Sequence, residues 1–355
     1  MPLVREVDPL IDPRWDAYVR AHGAATVYHL GAWAAILRGA YGFRPRYLAS
    51  EEVGRLTGVL PLMGKKGIVS DARLRSIPIF SYGGPLGDAP THESALLDAA
   101  RDLAEGDGVK GLSINTGVRR LEAAGFADEE ILPRWVVALP DDLDAMREGW
   151  RKTSNNLYRS LRKADRSELG FRAAHSDRDM RSVHQLYVRT MRGHRSLPRT
   201  LRQLHLARDL LGSHMKMFIV DHDGLDVAAG VYHVFGDTIE LVYNGSHERS
   251  LDMRPNHALY WGVMRWARER GQRMIDLGGA YADTPLAHFK QQWGATPQPR
   301  FRLNRRVGAD VTRAESIASI GYGAEGSERR VVAVAWRHAP TWLLRAGAHV
   351  AYRYV

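Results

Sequence analysis

Two residues stand where their type and setting suit acyl-transfer chemistry. Asp88 ends the segment Ser81-Tyr-Gly-Gly-Pro-Leu-Gly-Asp88, in which three glycines and a proline surround a single carboxylate. Glycines let backbone amides approach a ligand closely, and a carboxylate held in such a loop suits taking a proton from an attacking amine. The same residue would equally serve as a cap on the helix that follows. Lys290 lies in Asp283-Thr-Pro-Leu-Ala-His-Phe289-Lys290-Gln-Gln-Trp293-Gly294 and is one of only seven lysines against 43 arginines, with no other lysine after Lys216. In a chain so biased toward arginine, a lysine between Phe289 and Trp293 marks a demand for a compact ammonium, which suits the oxyanion of an acyl-transfer intermediate. The basic stretch from Trp150 to Ala164 reads as a helix with Leu157 and Leu161 buried at i, i+4. Arg151, Lys152, Asn155, Arg159, Arg162 and Lys163 then form an array for phosphates.

Several competing chemistries fall away. A strict G-x-G-x-x-G runs from Gly321 to Gly326, but 29 residues follow it and none after Glu328 is acidic, so no ribose-binding carboxylate completes a dinucleotide site. There is no P-loop and no G-x-S-x-G. The 15 histidines include no H-x-x-x-H or H-E-x-x-H pair, so no metal site is expected. The absence of cysteine removes disulfides, thiolate metal sites and a cysteine acyl-enzyme. No resident cofactor is expected.

The net charge of +10 is unevenly spread. Residues 1–145 hold 16 basic against 20 acidic side chains, residues 146–305 hold 27 against 16, and 147–208 alone hold 16 against 5. A phosphate-bearing partner against 147–208 accounts for the excess, as does a solvated basic face. No signal peptide is read at the N-terminus, and no apolar run approaches the roughly 20 residues of a spanning helix. A cytoplasmic protein is expected. The ending Thr341 to Tyr354 reads as a basic amphipathic helix that packs back on the body or touches the inner face of the membrane.

Positioning these residues requires alternating strands and helices. A short helix is expected around Trp33–Arg38, a hairpin around Glu51–Arg55, a helix over Ala95–Glu105 and a strand at Gly111–Asn115. The order recurs as a hairpin around Asp221–Gly224, a strand at Thr238–Tyr243, a helix over His257–Arg270 and a strand at Met274–Leu277. Gly58-Val59 reappears 172 residues later as Gly230-Val231, and Ala95-Leu96 reappears 163 residues later as Ala258-Leu259. Two diverged copies of one mixed α/β unit are expected, over 1–145 and 146–305, the second opening with the basic helix near Met146; a tail follows over 306–355.

These stations resemble the Fem-type family, tandem acetyltransferase-like (GNAT-like) proteins that include peptidoglycan bridge aminoacyl transferases and FemAB-like relatives at exopolysaccharide loci. The likeness spans about residues 25–300. It rests on Val27–Trp33 with Arg38, Gly58–Leu62, Tyr82-Gly-Gly-Pro85 with Asp88, Arg151–Ala164, Asn256–Trp261, Asp276–Gly279 and, most specifically, Phe289-Lys290-x-x-Trp293-Gly294.

The resemblance implies a tandem GNAT-like α/β fold and amide formation between an activated acyl donor, such as an aminoacyl-tRNA, and the amine of a phosphorylated cell-wall or exopolysaccharide precursor. It implies Asp88 as base, Lys290 as stabiliser of the reacting acyl group and Phe289 as a wall of its slot. Arg38, Tyr82, Gly84, Trp293 and the 151–163 array are implied as substrate contacts. Arg38 replaces a common lysine, which leaves the acceptor open; Gly83 replaces a common arginine, which points toward the FemAB-like relatives; and no long helical arm follows the basic helix, so the tRNA-embracing coiled coil of some members is missing. An acyl-CoA donor is the alternative, disfavoured because Ser246–Asn256 contains no glycine and Pro255 removes an amide from the phosphate loop. A silent nucleic-acid or precursor-binding protein is the reading from another class; a stable DNA partner is not expected.

Overall fold

A computed structural model describes residues 2–65, 73–78, 82–194 and 196–307. The G-x-G-x-x-G and the amphipathic ending lie outside the described residues. The first half contains β1 (Leu3–Val7), α1 (Pro13–Ala21), α2 (Ala32–Tyr41), β2 (Arg44–Pro45), β3 (Tyr47–Glu52) and β4 (Arg55–Leu60). It continues with β5 (Leu62–Lys65), β6 (Arg73–Ser76), β7 (Leu86–Gly87), α3 (Pro90–Gly106), β8 (Gly111–Gly117) and β9 (Ala127–Ala138). The second half contains α4 (Leu143–Thr153), α5 (Asn155–Arg166), β10 (Gly170–Ala173), α6 (Asp177–Gly193), α7 (Leu201–Leu211) and β11 (Met215–His222). It ends with β12 (Leu225–Phe235), β13 (Thr238–Ser246), α8 (Pro255–Arg268), β14 (Met274–Gly279), α9 (Pro285–Gln292) and β15 (Thr296–Arg306).

Each half repeats one motif. A hairpin, β3–β4 or β11–β12, is closed by two residues at positive φ, Val53-Gly54 and Asp223-Gly224, the conformation that matches strand twist in a two-residue turn. Then come two parallel strands joined by a helix: β6–α3–β8 and β13–α8–β14. Both parallel pairings are short, Arg73–Arg75 on Gly111–Ser113 and Thr238–Glu240 on Met274–Asp276. The joining helices bury period-3.6 stripes, Leu96, Leu97, Ala100 and Ala104 in α3 and Leu259, Val263, Met264 and Ala267 in α8, as amphipathic helices on a sheet must.

The halves exchange their last strands. The large sheet runs β10-β11-β12-β13-β14-β9-β15-β8-β6-β5-β2, beside a four-stranded sheet β1-β3-β4-β7. First-half β9 pairs with second-half β14, second-half β15 pairs with first-half β8, and β9 and β15 pair antiparallel at the centre. One core cluster also joins the halves, packing Trp15, Trp33 and Tyr41 with Met180, Met191 and Leu204.

The basic stretch is two helices rather than one. Asp142 caps α4, accepting the Ala145 N–H at 2.8 Å, so this helix begins at Leu143, ahead of Met146. It ends at Ser154, whose φ of −149° and ψ of 64° leave the helical region, and α5 starts anew at Asn155. Leu157 and Leu161 of α5 are buried as the spacing predicts. The phosphate array is thereby divided, with Arg151 and Lys152 on α4 and the other four residues on α5.

Candidate active site

Lys290 is buried at 2 % exposure. Thr284 caps α9 through the Ala287 N–H at 3.2 Å and Pro285 follows, so the short helix turns Ala287 and Lys290 inward. The Lys290 amine donates to the Gly278 carbonyl at 2.9 Å and the Gly279 carbonyl at 2.8 Å. These carbonyls are aimed by a turn that depends on glycine, since Gly278 has φ +85°. Asp276 Oδ1 accepts the Gly278 N–H at 2.8 Å, so Gly278 is held at both its N–H and its carbonyl. Burial, with Arg134 adding to it and Asp276 opposing, lowers the amine to about 7. An ammonium has three N–H donors; two meet carbonyls and the third has no partner among the described residues.

Phe289 and Trp293 sit in one aromatic cluster, 6.3 Å apart between ring centres. Phe289 meets His257 and Tyr260, each at a ring separation of 5.5 Å, and Trp293 lies 5.5 Å from both Tyr260 and Trp150. Burial, reinforced by Arg254, lowers His257 to about 4, so its ring is neutral at pH 7.

Behind Lys290 lies a buried charge centre shared by the halves. Arg134 of β9 donates to Asp276 Oδ2 at 2.7 Å and to Glu240 Oε1 at 2.6 Å. The Tyr82 hydroxyl donates to the same Asp276 oxygen at 3.2 Å, and the Arg134 guanidinium lies 5.3 Å from the Tyr82 ring. Tyr28 stacks on Tyr82 and its hydroxyl is 3.2 Å from His233 Nδ1. Burial raises the Glu240 carboxyl, with Arg134 pulling it down and Asp276 pushing it up, while burial lowers His233 to about 3. One arginine between two carboxylates satisfies the rule that buried charge must be paired. The sequence singles out Tyr82 and places Tyr28 and Asp276 within its motifs, but gives no role to Arg134, Glu240 or His233. The available signal was a charge inside an apolar strand, in Ile131-Leu-Pro-Arg-Trp-Val-Val137 and Thr238-Ile-Glu-Leu-Val-Tyr243.

The other candidates occupy separate places. Asp88 is exposed, accepts from the Tyr18 hydroxyl at 3.0 Å and pairs with Arg55 at 3.0 Å. It does not cap α3, whose N-cap is Ala89, and no contact among the described residues joins it to Lys290. Gly84 is wedged in the first half: a Cβ there would lie 2.6 Å from the Asn115 oxygen and 2.9 Å from Thr116 Cα. Its carbonyl accepts from His29 Nε2 at 3.1 Å. Arg38 is exposed and lines a cleft of about 640 Å³ with Glu6, Asp8 and Arg44, away from the buried centre. Arg151, Lys152, Asn155, Arg159 and Arg162 are exposed, whereas Lys163 is partly exposed and pairs with Asp252 at 2.6 Å. Among the described residues no cluster of metal-ligating side chains occurs, and no helix is long and apolar enough to cross a membrane.

Residues 151–291 match the family model of the Acetyltransferase (GNAT) domain. No curated protein matches the chain. Among solved structures, FemX superposes with a TM-score of 0.64 at 14% identity, covering 86% of this chain and 97% of that one. The C-terminal domain of a putative lysylphosphatidylglycerol synthetase from Agrobacterium fabrum gives 0.54 at 16% identity, covering 82% and 91%. A tandem GNAT protein from the clavulanic acid biosynthesis pathway gives 0.54 at 15% identity, covering 87% and 99%. Identities this low speak for fold, and at that level they agree with the Fem-type resemblance. The chain has the tandem GNAT fold, two mixed α/β units, with a match to the GNAT domain at residues 151–291.

Proposed function

We propose that the protein is an amide-forming acyltransferase of FemAB-like type, in which an amine attacks an activated acyl group held against Lys290. The observation that carries this reading is the buried amine of Lys290 on the Gly278 and Gly279 carbonyls, within the GNAT domain. As the amine attacks, the acyl oxygen gains negative charge, and the third N–H of the Lys290 ammonium meets it. A preorganised donor in a dry site is worth far more than one in water. The new C–N bond forms as the bond to the leaving oxygen or sulfur breaks, and the proton lost by the amine ends on the leaving group. Asp88, held by Tyr18 and Arg55, lies outside this group; a loss of rate in Asp88→Asn comparable with that in a Lys290 variant would assign it to the reaction as base.

For the donor we favour an aminoacyl-tRNA or a similar activated acyl group, with a phosphorylated cell-wall or exopolysaccharide precursor as acceptor. The exposed cations of α4 and α5 suit a polyanionic donor. The entry to α8, where an acyl-CoA pyrophosphate would sit on free amides, holds a 3-10 turn over Glu248–Met253, Arg254 at φ +64° and Pro255 at the first helical position. Calorimetric titration with acyl-CoA, charged tRNA and a nucleotide-linked precursor tests the choice. Binding of charged tRNA and precursor supports it, and tight acyl-CoA binding overturns the donor assignment. Binding without turnover, unchanged in Lys290→Met, would make the protein a silent binder.

A further inference from the structure

The first-half sheet has one apolar and one polar face. Leu74 of β6, Leu112 and Ile114 of β8 and Leu303 of β15 pack in the core cluster that contains α3. Strand alternation turns Arg73, Arg75, Ser113, Asn115 and Arg302 to the opposite face. The register sets Arg75 beside Ser113 and Asn115 beside Arg302, and Arg302 Nε donates to Asn115 Oδ1 at 2.9 Å.

Three arginines meet here with little to balance them. Arg73 and Arg75 are partly buried and make no side-chain hydrogen bond or ion pair among the described residues. Arg75 is pushed down by burial and by the charges of Arg73 and Arg302. Arg302 is pushed down by burial, with Glu129 and Tyr281 opposing, and Glu129 also accepts from Asn304 Nδ2 at 2.8 Å. Two other buried arginines have carboxylates, Arg134 two of them and Arg46 Glu6 and Asp107, while Arg300 donates to the Leu132 carbonyl. Like charges held together in a partly desolvated place are unfavourable, and an anion reverses the sign. The strip also adjoins the candidate active site. The Asn115 carbonyl abuts Gly84, two residues from Tyr82, whose hydroxyl reaches Asp276, and Tyr281 follows the Gly278–Gly279 turn closely.

We propose that Arg73, Arg75 and Arg302 form an anion site on the open face of the first-half sheet, which takes the phosphate or diphosphate group of the amine acceptor. Planar guanidiniums on β6 and β15, the two strands that flank β8, suit bidentate contact with phosphate oxygens; the Ser113 hydroxyl between them donates to Asn304 Oδ1 at 2.9 Å. Anion binding is a property of this face alone; only its place in the reaction rests on the acyl-transfer reading.

The test is calorimetry on the full chain with inorganic pyrophosphate, alongside thermal melts in anion-free buffer. Wild type is expected to bind, Arg75→Met and Arg302→Gln to bind at least about tenfold more weakly, and Arg38→Met and Lys290→Met to bind as wild type. Unliganded Arg75→Met is expected to melt no lower than wild type, because the substitution removes repulsion. Unchanged binding in both Arg75→Met and Arg302→Gln overturns the proposal, as does loss in Arg38→Met with binding kept in Arg75→Met. A lowered melt of unliganded Arg75→Met also overturns it, since the arginine is then held by a structural counterion. UDP titration and flotation with phosphatidylglycerol vesicles separate a soluble from a lipid-borne source. Loss in Arg75→Met on either arm supports the site, and loss on neither overturns it. If the wild type transfers no acyl group from charged tRNA or acyl-CoA to any precursor amine yet pyrophosphate binding still needs Arg75, the acyl-transfer reading fails and the anion site stands.

Discussion

At Lys290 the fold buries an amine whose hydrogen-bond partners are two backbone carbonyls, with no carboxylate ion pair among the described residues. Its value of about 7 lies below the ordinary 10.5, so the folded state resists protonation. The resulting destabilisation is fully present below about pH 7 and is relieved as pH rises from 7 toward 10.5. Lys290→Met should therefore gain stability relative to wild type in acid and lose that advantage in alkali, by a few kcal/mol across the window. Chemical denaturation at pH 6 and pH 10 measures it; a difference independent of pH would show that the amine is not perturbed. The lysine was legible in the sequence because arginine bias made it conspicuous. Arg134 and Glu240 were not, because a charge in an apolar strand becomes intelligible only when its partner, 106 residues away for that pair, is known.

At the scale of elements, the hairpins, the joining helices and the strands β8, β13 and β14 were readable, since each follows from local periodicity and turn chemistry; β6, a short strand with alternating arginines, was not. The break at Ser154 was not. Serine is compatible with a helix interior, and α4 and α5 part there because each buries a different residue set, Leu143 and Trp150 in one, Leu157, Leu161 and Ala164 in the other. The loop around Gly84 was read as a place for ligand approach. The structure shows instead protein approaching protein, with Asn115 and Thr116 against the glycine. Gly84→Ala should accordingly lower stability by about 1–3 kcal/mol or more, the range for overpacking, measured by denaturant unfolding. An unchanged midpoint would mean that the wedge is loose.

For the whole molecule, recurrence of motifs announced two copies, but nothing local announced that their last strands change places. Strand exchange is a contest between two nearly equivalent edges, and sequence pattern does not rank them. It predicts that fragments 1–145 and 146–355 co-purify when co-expressed, since β9 and β15 pair with each other and with the opposite half. Two separately stable monomeric fragments would contradict this. Buried neutral histidines add an acid limit. His29 is held at about 4 and His233 at about 3, both by burial, below the ordinary 6.5. Their contribution is present above 6.5 and falls as pH drops toward those values, by about 1.4 kcal/mol per pH unit for each. Thermal melts between pH 7 and 4.5 should show a steady fall, weaker in His233→Gln. The most direct test of the acyl-transfer centre is single-turnover transfer of a labelled acyl group from charged tRNA or acyl-CoA to the precursor amine, comparing wild type with Lys290→Met. The Lys290 centre predicts a loss of about 100-fold or more in the transfer step with donor and acceptor binding retained; an undiminished rate in Lys290→Met would contradict it.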